Sequence, residues 1–156
     1  MKNESAEFRA LLERMTQAIC RGDGNGAAAC FAQEGSYHDG FYGEFRGRDS
    51  IRAMVEQHFH ANARDFSWVL CDALSDGSLG YARYGFTYVS KMAGSEGKRV
   101  FFAGIVQARL DNGLITRYTE VFDRGTALAQ MNFAPERIAR SLARWAEEDE
   151  KASNIP

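Results

Sequence analysis

Asp39 and Glu120 are the two side chains in this chain best placed to move a proton. Asp39 ends a short extended run, residues 35–39, and a loop rich in glycine and aromatics follows it. A strand end holds a carboxylate rigidly, and the loop leaves a ligand free to approach it. Glu120 stands in the run Tyr118-Thr119-Glu120-Val121-Phe122. Strand alternation puts Tyr118 and Phe122 on its own face. An acid between two aromatics loses hydration and gains pKa, which suits a general acid or base. Arg83 is the basic candidate. It can polarise a ligand, or it can form a buried ion pair with Glu120 that holds the acid ionised and leaves Asp39 to accept a proton. Alternation groups Arg83 with Tyr81 and Gly85, and a glycine there would leave room for a ligand. Tyr37 shares the Asp39 face and offers a hydroxyl, although core packing explains it equally. Asp39 too has a plainer reading, as a carboxylate that binds the amides of the following loop.

The elements that must hold these groups follow from periodicity. Phe8, Leu11, Leu12, Met15 and Ile19 make one apolar stripe on a first helix of about five turns. Gly22 ends it. Residues 21–26 (RGDGNG) form a tight connection; no strand precedes them and no Gly-Lys-Ser/Thr follows, so they are no phosphate loop. Asn25 is expected to cap a short Ala-rich helix that runs to about residue 32, and Asp49 to cap a third helix carrying Ile51, Met54, Val55 and Phe59. From Asp65 the period changes to two. Strands are expected over residues 66–71, 79–92, 100–110 and 114–123, joined only by turns, the last of them Asp111-Asn112-Gly113. Such strands form an antiparallel meander. Thr126 begins a short helical turn, and Pro135 starts a final helix with Ile138, Leu142 and Trp145. Residues 147–156 are charged and are expected to fray.

Composition bounds the rest. The 156 residues suffice for one domain of ordinary soluble composition, 45% apolar and 26% charged. A net charge of -2 without a basic cluster gives no footprint for nucleic acid. A polar start without an apolar run predicts neither signal peptide nor membrane span, hence a cytoplasmic protein. Cys20, Cys30 and Cys71 lack paired spacing and read as reduced thiols. His58 and His60 diverge on a helix, and no His, Cys or Asp cluster has metal-ligand spacing, so neither metal nor cofactor is expected. Residues 100–106 are apolar on both strand faces. Helices can cover one; a second subunit is the economical cover for the other, which predicts a homodimer.

The segments FAQEGSYHD, GEFRGRDSI and DNGLITRYTEVFD, in this helix and strand order, resemble the nuclear transport factor 2-like superfamily, also called SnoaL-like or ketosteroid isomerase-like. The resemblance spans roughly residues 5–133, with the helix of residues 135–149 beyond it. It implies an α+β fold: a cone-shaped curved antiparallel sheet wrapped around N-terminal helices, with a central pocket. The family includes isomerases, dehydratases, epoxide hydrolases, polyketide cyclases and non-enzymatic binding modules. Asp39 falls where the isomerases carry a proton-shuttling aspartate. Their helix tyrosine is Met15 here, and residues 103–106 are apolar where a second acid would stand. Against the limonene epoxide hydrolases, Glu120 resembles one acid and Arg83 the arginine, while Gly85 replaces the partner acid. Two readings follow. In one, a cofactor-free enzyme uses Asp39, Glu120 and Arg83 for acid/base chemistry on a hydrophobic small molecule. Tyr37, Tyr118, Phe122, Met15 and Tyr42 would line its site. In the other, the same cone binds a ligand or a partner without catalysis.

Overall fold

The computed structural model describes residues 2–153. Helix α1 (Lys2–Arg21) buries the stripe read from the sequence, with Phe8, Leu11, Leu12, Met15 and Ile19 all within the core. Each fully buried side chain of this size contributes roughly 1.5–3 kcal/mol. Helix α2 (Gly24–Ala28) is capped not by Asn25 but by Asp23, whose carboxylate accepts the Gly26 amide at 2.8 Å. The expected extension of this helix to residue 32 is replaced by strand, because β1 (Phe31–Asp39) begins sooner and Phe31 already pairs with Ile115 of the last strand. The loop after Asp39 contains a strand the sequence reading missed. β2 (Gly43–Arg46) folds back on β1, with Tyr37 opposite Phe45 and Asp39 opposite Gly43.

Helix α3 (Arg48–Ala53) has Gly47 at its cap position with φ 81°; Asp49 lies inside the first turn and takes no capping hydrogen bond. The helix continues through a π-helical stretch, Met54–Phe59, into α4 (His60–Asn62). The meander follows as β3 (Ala63–Ser75), β4 (Leu79–Ser90), β5 (Arg99–Asp111) and β6 (Leu114–Phe122). Asn112 and Gly113, both at positive φ, turn the last hairpin as its sequence requires. Helix α5 (Arg124–Gln130) is capped by Asp123, and α6 (Pro135–Ser153) runs through most of the charged tail expected to fray. Residues 154–156 of that expectation lie outside the described residues.

The six strands form one curved, unclosed sheet in the order β2-β1-β6-β5-β4-β3. Every pairing is antiparallel except β1 with β6, which is parallel. Among the described residues, no helix is long and apolar enough to cross a membrane.

Candidate functional site

The parallel β1–β6 pairing builds the floor of a cavity. Its register sets Tyr37 beside Tyr118 and His38 beside Thr119. One step further along the same inner face, Asp39 and Glu120 become cross-strand neighbours. The two tyrosine rings stack at 4.4 Å, and both acids are buried. Asp39 Oδ1 accepts the amides of Phe41 and Tyr42, each at 2.8 Å. Its plainer reading, binding of the following loop, is therefore real, but it leaves the carboxyl in the cavity wall. Glu120 accepts the Tyr84 hydroxyl at 3.0 Å, and its carboxyl lies against that of Asp39 and near the Gly40 amide.

Two carboxyls in hydrogen-bonding contact away from water cannot both ionise. Burial pushes the Glu120 pKa well above the carboxylate range, and the Asp39 charge beside it pushes further. Asp39 is raised by burial too, but two backbone amides and the Glu120 donor oppose that. Of the two carboxyls, Glu120 is the one pushed further toward keeping its proton, which leaves Asp39 as the base. The neighbouring phenols of Tyr37, Tyr84 and Tyr118 are pushed up chiefly by burial, with the Glu120 charge next, so they stay neutral donors.

Above this floor lies a cavity of about 620 Å³, within the range that holds a small organic ligand. Trp68, Phe86, Tyr88 and Phe102 form its aromatic wall, and Tyr37, Tyr42 and Asn62 line another side. Trp68 packs on Phe86 with ring centroids 4.8 Å apart, and Phe102 stacks on Phe122 at 4.1 Å. Helix α6 closes the mouth. Trp145 packs against Phe41 and under the Arg124 guanidinium, 4.6 Å from its ring. Tyr37 Oη and Trp68 Nε1 are buried beneath the cavity surface and have no hydrogen-bond partner among the described residues.

Asp39, Glu120, Tyr37 and Tyr42 thus converge, whereas Arg83 does not join them. Its side chain lies on the convex face, 67% exposed, and pairs with Asp72 at 2.7 Å. On β4 the even positions face inward: Ala82, Tyr84 and Phe86 are buried, while Tyr81 and Arg83 are exposed. Gly85 shares that outer face and leaves no room in the cavity. No arginine holds Glu120 ionised. Met15 is wholly inside the core and does not line the cavity. Tyr118 and Phe122 stand behind the wall, stacked on Tyr37 and Phe102, and support it. The residue the sequence reading missed is Tyr84, the phenol on Glu120. Its signal was present: Gly80, Ala82, Tyr84, Phe86 and Tyr88 alternate without one charge, and Arg83 marks the opposite face.

The SnoaL-like domain family matches residues 12–118. The chain belongs to the SnoaL-like family. No protein of curated function matches it. Among solved structures, this SnoaL-like chain is similar to TsrD from Streptomyces laurentii, with 21% identity over 81% of this chain and 96% of that one and a TM-score of 0.69. An LEH-like epoxide hydrolase from M. tuberculosis shares 16% identity over 90% and 97% of the two chains, with a TM-score of 0.67. A protein with a ketosteroid isomerase-like fold from Catenulispora acidiphila shares 18% identity over 80% and 97%, with a TM-score of 0.70. At these identities the likeness is one of fold. Helix α6 and its part of the cavity mouth lie beyond the SnoaL-like match.

Proposed function

We propose that the protein is an acid/base enzyme acting on a largely apolar small molecule, with Asp39 as base and Glu120 as acid. The observation that carries this reading is the buried carboxyl–carboxylate pair in the wall of an aromatic cavity. Burying two acids costs several kcal/mol that an apolar container would not need to spend. A raised Asp39 pKa makes its carboxylate a stronger base than a solvated one. It would take a proton from carbon next to a carbonyl, or from water. Glu120 would give its proton to the oxygen on which charge develops, and the Tyr84 hydroxyl would steady the carboxylate left behind. Isomerisation, dehydration, cyclisation and water addition share this division of labour.

The test is proton abstraction from 5-nitrobenzisoxazole, an apolar probe that opens to a coloured phenolate when a base removes its C–H proton. The wild-type protein should accelerate ring opening, and Asp39→Asn should lose about 100-fold of that rate, as for a missing general base. The asparagine oxygen can still accept the Phe41 and Tyr42 amides, so the variant should fold. No rate above buffer from the folded wild-type protein, or equal rates for both proteins, would overturn the reading.

A further inference from the structure

Three arginines of α6, Arg137, Arg140 and Arg144, line the mouth of the cavity. At 100° per residue they fall within an arc of about 60°, so they form one basic stripe beside the buried Trp145. Arg144 pairs with Glu148 at 3.7 Å. The other two have no carboxylate partner among the described residues. Arg137 lies 4.4 Å over the Phe133 ring, and Arg140 makes no hydrogen bond, ion pair or ring contact there. Acids are not scarce on this helix: Glu136 stands one turn before Arg140, a spacing suited to pairing, and no ion pair joins them. Two cationic groups are thus left open where a ligand enters. In the sequence RIARSLAR the arginines are separated by apolar and small residues, and the helical period gathers them on one face.

The opposite end of the cavity has the opposite character. Asp39 and Glu120 occupy the floor, so an anion is repelled there and drawn to the mouth. Between them the wall is aromatic. We infer that the ligand is a polarised amphiphile. Its aromatic or polycyclic body lies among Trp68, Phe86 and Tyr88, and a single anionic group (carboxylate, sulfonate or phosphate) is held at the mouth by Arg137 and Arg140. This rests on the reading of the cavity as a ligand site and fixes which end of the molecule meets the acids.

The experiment compares two fluorescent probes of nearly one shape on the full chain. 8-Anilinonaphthalene-1-sulfonate carries an anion; N-phenyl-1-naphthylamine does not. Both should bind the wild-type protein. The double variant Arg137→Gln/Arg140→Gln should bind the sulfonate about tenfold or more weakly, as for lost charge-assisted hydrogen bonds, and the neutral probe unchanged. Added salt should weaken the sulfonate on the wild type and much less on the variant. Both arginines are exposed, so thermal unfolding should coincide and exclude a folding defect. Equal affinity of the sulfonate for both proteins, an equal loss of both probes, or failure of either probe to bind would overturn the inference. Probe binding needs no proton transfer. Failure of 5-nitrobenzisoxazole turnover would therefore remove the catalytic reading and leave this one standing.

Discussion

At the scale of single residues, the proton on Glu120 has a measurable signature. In the unfolded chain Glu120 ionises near its ordinary 4.5, whereas in the fold it keeps its proton to much higher pH. Between those values the folded state binds one proton more, so stability must fall as pH rises, by about 1.4 kcal/mol per pH unit. Below the unfolded value the contribution is fully present. Glu120→Gln should fold, because its amide can accept from Tyr84 and Gly40 and donate to Asp39. It should also remove most of that slope. Urea unfolding followed from pH 4.5 to 7 checks this; equal slopes in both proteins would put the proton elsewhere. Asp39 and Glu120 were legible as a candidate pair because each is an acid in an otherwise apolar or strand-ending context. That Glu120 rather than Asp39 carries the proton was not legible. It depends on a register that sets them side by side and on the loop amides that only Asp39 receives in number.

At the scale of elements, the site depends on a glycine in β5. Gly104 faces inward opposite Tyr84, and a Cβ there would stand 2.7 Å from the Tyr84 hydroxyl and 2.6 Å from the Val121 carbonyl. The missing side chain lets the phenol lie across β5 and reach Glu120 on β6. Gly104→Ala should therefore cost roughly 1–3 kcal/mol by overpacking and should displace the Tyr84–Glu120 hydrogen bond. Thermal unfolding reads the first effect, and a changed pH dependence of stability reads the second. The four meander strands were legible because period-two runs and Gly-containing turns agree with one another. The parity of β4 was not legible from Arg83, because a strand arginine fits an exposed pair such as that with Asp72 as well as a buried one with Glu120. β2 escaped because four residues, rich in Gly and charge, carry no period of their own and pair only because β1 offers an open edge.

At the scale of the molecule, the convex face of the sheet carries an exposed apolar patch beside the Arg83–Asp72 pair. Val69, Phe101, Ile105 and Val121 are all exposed there, Val121 at 73%, and Ile105 and Val121 are paired neighbours. We propose that a second copy covers this face. Light scattering should give twice the 17.4 kDa chain mass, and Ile105→Lys or Val121→Lys should give monomer; a wild-type monomer at micromolar concentration would refute it. The parallel contact between β1 and β6 has a different consequence, for the order of folding. β3 to β6 can assemble through successive hairpins, each a short loop closure, whereas β1 must find β6 across roughly 80 residues of intervening chain. Asp39 and Glu120 thus meet in one of the most sequence-distant pairings of the fold. In refolding, burial of Trp68 in the meander should precede the coupling of the two acids, so that ability to abstract a proton returns after the fluorescence change is complete. The active pair would then serve as the chain's own report that its last strand has docked.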